Sequence, residues 1–128
     1  MTAAAAIAAS ALYLGMGAFQ VALALGAPLG AHVLGGRIAG KLPTRLRVFS
    51  AIAAVILVGA AIVVLARAEV IPWPAELAGL TPPAAWIIAG YMALNTLVNV
   101  ASKSRLERTV FAAVTATLAI LSAYVALS

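Results

Sequence analysis

The chain has 128 residues, of which 66% are hydrophobic and 9% are charged, and its formal net charge is +5. Soluble domains are about 45–50% apolar and about 25% charged, so this composition excludes a water-soluble fold and leaves no room for a separate soluble domain. The chain has no cysteine, which excludes disulfides, thiolate metal sites and dithiol redox chemistry. We therefore predict an all-α integral membrane four-helix bundle, with residues 1–128 as a single transmembrane domain.

Four apolar stretches are each long enough to cross a bilayer, which takes about 20 helical residues. They predict helices at about residues 5–27, 46–66, 83–101 and 105–127. The first stretch lacks the positively charged region of a signal peptide, so we interpret it as a permanent helix that ends or kinks at Pro28. Thr81 followed by Pro82 predicts an N-cap with proline at the first position of the third helix, and Ser104 with Glu107 fits a capping box that opens the fourth.

Positive charge is concentrated in the first and third loops, which lie on the same side of the predicted bundle. These loops and their flanks contain a single acid, Glu107, and seven basic residues: Arg37, Lys41, Arg45, Arg47, Lys103, Arg105 and Arg108. The second loop contains Arg67, Glu69 and Glu76. Because basic residues are retained on the cytoplasmic side, we predict that both termini lie on the outer (periplasmic or extracellular) side. The net charge is thus interpreted as a topology signal, and nucleic acid is not a predicted partner.

The aromatic residues agree with this orientation. Two tryptophans and two tyrosines are predicted near the outer interface, where amphipathic rings settle: Trp73, Trp86, Tyr13 and Tyr124. The opposite, cytoplasmic end is then the one that carries most of the strongly polar side chains.

Small residues recur every four positions along three of the helices and would let their backbones approach closely. Helix 1 carries Ala18, Ala22, Gly26 and Gly30, helix 3 carries Ala85, Ala89 and Ala93, and helix 4 carries Thr115, Ala119 and Ala123. Such stripes also arise by chance in a chain this rich in alanine, so they indicate either contact faces or composition alone.

Three amide side chains are predicted to lie at a similar depth near the cytoplasmic end. Asn95 and Asn99 are four residues apart and share one face of helix 3, and Gln20 lies on helix 1. An unpaired amide in hydrocarbon is costly, so these groups need partners. One interpretation is that they bond to each other, to backbone freed near Pro28 or to loop groups. The other is a ligand-binding polar pocket that opens toward the cytoplasm.

His32 is the only histidine, and it lies at the predicted cytoplasmic interface. A lone histidine without nearby acids makes a poor metal site. It is a candidate ligand-binding residue, general base or pH switch, or an interfacial residue with no special role.

The first loop, residues 30–47, is long for a connection between helices. Leu34, Ile38 and Leu42 recur every four residues, which predicts a short interfacial helix within it. Four of its basic residues either bind anionic lipid headgroups or serve orientation alone: Arg37, Lys41, Arg45 and Arg47.

Several short motifs resemble those of a group of small, uncharacterised bacterial four-helix membrane proteins. They are Leu23-Ala24-Leu25-Gly26-Ala27-Pro28-Leu29-Gly30, Gly35-Gly36, Leu42-Pro43-Thr44-Arg45-Leu46-Arg47 with Ser50, Leu94-Asn95, Asn99, Ser102, Ser104 and Glu107. The resemblance covers nearly the whole chain and implies the four-helix architecture and a bacterial inner (plasma) membrane location. It implies no activity, substrate or cofactor, but it draws attention to the cytoplasmic half, where these residues gather.

Three hypotheses for function follow. The leading one is a non-enzymatic membrane protein that binds a small or lipidic ligand, or helps to move it, at the cytoplasmic end. The second is an accessory or assembly subunit of a larger membrane complex, and the third is a membrane enzyme that acts on a lipid with His32 as its base. No catalytic set, metal site or cofactor is predicted. Beyond the lipid bilayer, the partners considered are further copies of the chain and a larger membrane complex.

Overall fold

The computed structural model describes residues 1–128, and all of its regular structure is helical. The four long helices are α1 (Thr2–Ala24), α2 (Thr44–Arg67), α3 (Thr81–Val100) and α4 (Ala112–Leu127). A 3₁₀ helix, Ala75–Leu80, leads into α3, and a π-helical turn, Glu107–Phe111, leads into α4. With these extensions, all four helices are long and apolar enough to cross a membrane. The predicted all-α fold with four such helices is confirmed.

The bundle has two distinct ends. At one end, the hydroxyls of Thr2 and Ser128 lie 3.1 Å apart, so the chain begins and ends there beside residues 68–80. We call this the terminal end. The opposite end contains residues 25–43 and 101–106 and carries most of the positive charge, so we call it the basic end.

The core of the bundle is made mainly of alanine and a few larger side chains. Ala6, Ala9 and Tyr13 of α1 are fully buried in one cluster with Leu57 and Val64 of α2. A Cβ on Gly17 would also lie 3.9 Å from that of Leu57. The face of α1 that meets α2 is therefore not the predicted stripe, whose first member, Ala18, is exposed.

Polar side chains join the helices inside this core. The Tyr13 hydroxyl lies 2.7 Å from the Ser122 hydroxyl, and both side chains are fully buried. The prediction that Tyr13 lies at an interface is therefore wrong, since its ring fills the centre of the bundle. The Thr96 hydroxyl donates to Thr115 at 2.9 Å and links α3 to α4. Packing and such hydrogen bonds hold helices together where lipid removes the hydrophobic drive.

The first helix ends three residues earlier than predicted because Gly26, not Pro28, terminates it. Gly26 has a φ of +97°, and its amide donates to Leu23 at 3.1 Å. The Ala27 amide donates to the carbonyl of Ala22 at 3.0 Å, which completes a Schellman motif. This turn directs residues 28–43 back across the end of the bundle.

The third helix begins at Thr81, close to the predicted start, but Thr81 is not its N-cap. Thr81 already has helical angles, with φ −68° and ψ −39°, because the 3₁₀ helix continues directly into α3. Its hydroxyl donates backward to the carbonyl of Ala78 at 3.0 Å and caps no amide of the helix. Thr81 is thus a residue inside a continuous helical segment.

Candidate functional site

The segment between α1 and α2 folds into a cap on the basic end. We call residues 25–43 the basic loop. Val33 and Leu42 of this loop are buried in a second apolar cluster with Leu23 of α1. The rings of Phe19 and Phe111 meet edge to face beside this cluster, with their centroids 5.0 Å apart. Val33 and Leu42 thus anchor the loop to the bundle, whereas Leu25 and Leu34 are exposed.

The predicted interfacial helix is absent from the basic loop. Two short 3₁₀ turns, Gly30–His32 and Leu34–Gly36, take its place. Leu34, Gly35 and Gly36 have φ values of +51°, +76° and +72°, which a right-handed helix does not allow. Of the three residues with four-residue spacing, only Leu42 is buried, and Leu34 is exposed, so the spacing marks neither a helix nor a common buried face.

Glu107, at the start of the π-helical turn before α4, binds the backbone of the basic loop. One carboxylate oxygen accepts the Leu34 amide at 2.7 Å, and the other accepts the Gly35 amide at 3.2 Å. The Ser102 hydroxyl also donates to this second oxygen. The left-handed backbone at Leu34 and Gly35 turns both amides toward one anion, an arrangement known from backbone nests.

The predicted capping box at Ser104 and Glu107 forms only in part. The Glu107 amide lies 3.4 Å from the Ser104 hydroxyl, as a capping box requires. The Glu107 carboxylate does not return to the Ser104 amide, because that amide donates to the Ser102 hydroxyl at 3.0 Å. The carboxylate is thus free to bind the basic loop.

Three further hydrogen bonds fix the loop. The Ser104 hydroxyl donates to the carbonyl of His32 at 2.5 Å. The Arg47 Nε donates to the carbonyl of Ala24 at 2.9 Å, and the Gly30 amide donates to Gly40 at 2.8 Å. The loop is therefore tied to itself and to the segment between α3 and α4, and Arg47 joins the two helices that the loop connects.

Beneath this cap lies a half-open cavity of about 330 Å³. Gln20 of α1 and Asn95 and Asn99 of α3 all line it, so the structure brings together three of the four predicted ligand-binding residues. The rest of the wall is mostly apolar or aromatic, and its principal side chains are Met16, Phe49, Tyr91, Val98 and Phe111, with Ser50 and Glu107 as further polar members.

The cavity is lined by residues of both α2 and α3, which pack against each other less closely than α1 does against α2 or α3 against α4, and we infer that its mouth lies between them. Phe49 on the α2 side is 58% exposed, and Tyr91 and Val98 on the α3 side are 43% and 63% exposed. The mouth is thus lined by large apolar side chains, and the amide groups lie among them.

The predicted hydrogen bonding among the three amides is not observed. Asn95 donates to the carbonyl of Tyr91 on its own helix, at 2.8 Å. Gln20 and Asn99 form no side-chain hydrogen bond and are only half-buried in the cavity wall. These two amides therefore offer both donors and acceptors to whatever occupies the cavity.

His32 does not belong to this cavity. Its side chain is exposed on the first 3₁₀ turn, and only its backbone is hydrogen-bonded: the amide donates to Leu29, and the carbonyl accepts the Ser104 hydroxyl. No group of three or more acidic, histidine or cysteine residues is arranged to hold a metal ion. The His32 imidazole forms no hydrogen bond to another residue of the chain.

The four basic candidates divide into two kinds. Arg37, Lys41 and Arg45 are exposed at the basic end and can reach headgroups. Arg47 is half-buried, and its Nε donates to the carbonyl of Ala24, the last residue of α1. Positive charge at the C-terminus of a helix is stabilising, so Arg47 has a structural role that the sequence did not indicate.

Sequence reasoning missed the central role of Glu107. The available signal was its isolation, since it is the only acid among seven basic residues at that end. It also missed Phe49 and Tyr91, because an aromatic residue at the mouth of a cavity has no local sequence pattern.

No family model, no curated protein and no solved structure matches this chain. The function must therefore be inferred from the residues of the cavity and its surroundings.

Proposed function

We propose that this protein spans the bacterial inner membrane four times, with both termini outside the cytoplasm. The asymmetry of charge supports this orientation, since the basic end carries seven basic residues and one acid. Basic residues near helix ends are retained in the cytoplasm. Trp86 and Tyr124 support it further, because both are exposed toward the terminal end, where a belt of interfacial aromatic residues is expected.

Reporter fusions test this topology. Alkaline phosphatase fused after Ser128 is expected to be active, and green fluorescent protein at the same position is expected to be dark. Fusions within the loop at Lys103 should give the opposite pattern. A fluorescent fusion after Ser128 would overturn the proposed orientation.

We further propose that the protein binds a lipidic ligand in the cavity at the basic end, without chemical conversion of it. The observation that carries this proposal is the pair of unbonded amides, Gln20 and Asn99, in a cavity whose mouth is apolar. Ligand sites are concave, mainly apolar and equipped with a few polar groups that fix orientation. This cavity likewise has a mainly apolar wall with a few polar side chains.

The shape of the cavity favours an amphipathic ligand over a small polar solute. Phe49 and Val98 stand at the mouth and face the same side as the lipid-exposed surfaces of α2 and α3. An acyl chain can lie between them at little cost, since it leaves one apolar environment for another. The polar part of the molecule then meets Gln20 and Asn99, which satisfies groups that are costly to leave unpaired in hydrocarbon.

The test is lipid-induced thermal stabilisation of the purified protein in a nonionic detergent. Phosphatidylglycerol, phosphatidylethanolamine and cardiolipin are the probes. At 100 times its Kd, a bound lipid stabilises the folded state by about 2.7 kcal/mol. We expect at least one probe to raise the Tm of the wild type and to raise that of an Asn95→Ala/Asn99→Ala variant by less than half as much.

A matched control is Thr117→Ala. Thr117 is exposed on α4, bonds only to the carbonyl of Ala113 and lies outside the cavity. Its removal should leave every lipid-induced shift unchanged. If the double variant folds and shows the same shifts as the wild type with all three lipids, the cavity is not the ligand site.

A second role, as an accessory subunit or homo-oligomer, is favoured by a different surface. A shallow apolar groove of about 380 Å³ runs between α3 and α4 and is lined by Trp86, Ala89, Gly90, Ala93, Ala119, Ile120 and Ala123. Small residues let a further helix approach closely. A lone monomer after purification in mild detergent would count against this role.

A further inference from the structure

A tight turn at the terminal end brings the chain back over the last residue of α2. The Val70 amide donates to the carbonyl of Leu65 at 2.9 Å, and the Glu69 amide donates to Ala66 at 3.1 Å. This is a second Schellman motif, with Glu69 at the position that usually holds glycine and with a φ of +57°. The turn returns Trp73 to the neighbourhood of Arg67.

These two residues line one cavity of about 420 Å³. The Arg67 Nε and the Trp73 Nε1 are both buried, and neither has a hydrogen-bond partner. They are the only buried side-chain nitrogen or oxygen atoms in the chain that lack one. Both unpaired groups are hydrogen-bond donors, and one of them is a cation.

A buried donor without a partner is costly, and two such donors belong to residues that line the same cavity, so we look for an acceptor there. The protein does not supply it. Glu69 lines the same cavity, but it is exposed, and its carboxylate bonds to neither donor. Thr81 also lines the cavity, but its hydroxyl oxygen accepts from neither donor.

The donors restrict the chemistry of the missing partner. A cation would be repelled by the guanidinium of Arg67, and an apolar molecule would leave both N–H groups unpaired. An oxyanion accepts from both, and arginine suits phosphate and carboxylate groups because of its planar donor array. We propose that Arg67 and Trp73 form an oxyanion-binding site at the terminal end of the bundle, independent of the cavity at the basic end.

The oxyanion has two sources, the phosphodiester of a phospholipid headgroup or a soluble anion in the aqueous phase. Both use the same chemistry at Arg67 and Trp73. The indole N–H gives a direct readout, since the chain has two tryptophans and therefore two indole resonances. A Trp86→Phe variant assigns them. Trp86 lines the groove between α3 and α4, away from the site, and serves as an internal reference.

The experiment titrates the full ¹⁵N-labelled chain in a nonionic detergent with three probes. They are inorganic phosphate against a sodium chloride reference, short-chain phosphatidylglycerol, and short-chain diacylglycerol as a lipid without phosphate. We expect saturable downfield movement of the Trp73 indole proton with phosphate, with phosphatidylglycerol or with both, and no movement with diacylglycerol. Movement with phosphatidylglycerol alone assigns the site to the lipid phosphodiester, and movement with phosphate assigns it to soluble anions as well.

Two substitutions at the site should change the affinity for the oxyanion in opposite directions. Arg67→Gln should weaken binding by about tenfold or more, the loss expected for one charge-assisted hydrogen bond. Glu69→Gln should tighten it, because a negative charge at the rim is removed. Arg45→Gln, an exposed arginine at the basic end, is the matched control and should change nothing. No saturable movement with phosphate or phosphatidylglycerol, or equal movement with diacylglycerol, would overturn the proposal.

Discussion

Replacing Glu107 with glutamine is expected to release the basic loop and to speed its cleavage by trypsin at Arg37 and Lys41. The carboxylate accepts two backbone amides, from Leu34 and Gly35, and the Ser102 hydroxyl. The amide nitrogen of glutamine cannot accept, so at least one of these donors loses its partner. Hydrogen bonds to charged groups contribute about 1.5–3 kcal/mol each. Cleavage that requires opening of the loop should therefore accelerate more than tenfold.

The control for this variant is Glu76→Gln, which changes an exposed acid at the terminal end by the same chemistry. Its cleavage pattern should match that of the wild type. Equal rates for Glu107→Gln and the wild type would mean that packing of Val33 and Leu42, and not the carboxylate, holds the loop in place.

Gly30→Ala is expected to have the largest effect on folding of any alanine substitution at a glycine. A Cβ at Gly30 would lie 2.1 Å from the carbonyl oxygen of Ile38 and 2.6 Å from that of Gly40. Both are backbone atoms, so no side chain can rotate away. The bond from the Gly30 amide to Gly40 would also break. We expect destabilisation of about 3 kcal/mol, measured as a lower Tm in detergent.

Gly59→Ala provides the comparison within α2. No atom lies within 4 Å of a Cβ at Gly59, and the residue is helical. Alanine is favoured over glycine in a helix by about 1 kcal/mol, so this variant should be neutral or more stable. A Gly30→Ala protein with the same Tm as Gly59→Ala would show that Gly30 and residues 38–40 of the basic loop are not in the close contact described.

The sequence predicted the parts of the fold that depend on local properties. Apolar length placed the four helices to within a few residues, and the same pattern put Gln20, Asn95 and Asn99 at one depth, because depth follows from counting along a helix. That they face a common cavity depends on the rotation of α1 and α3, which the sequence did not specify. The bound ligand is a proposal that rests on this convergence.

Features that depend on contacts distant in sequence were not predicted. Glu107 fits a local capping box, yet it binds amides more than 70 residues away, at Leu34 and Gly35. Tyr13 has the amphipathic ring of an interfacial residue, but its hydroxyl finds Ser122 in the core. In both cases the local pattern was compatible with two environments, and tertiary packing selected the one formed by residues distant in sequence.

The mouth between α2 and α3 has a consequence for how affinity is measured. A ligand that enters sideways through this gap must first dissolve among the lipids, so its occupancy follows its mole fraction in the membrane and not its concentration in water. Two compounds that bind the amides equally well would then be ranked by their partition coefficients. Apparent constants obtained at different detergent-to-protein ratios would disagree until they are expressed per molecule of amphiphile.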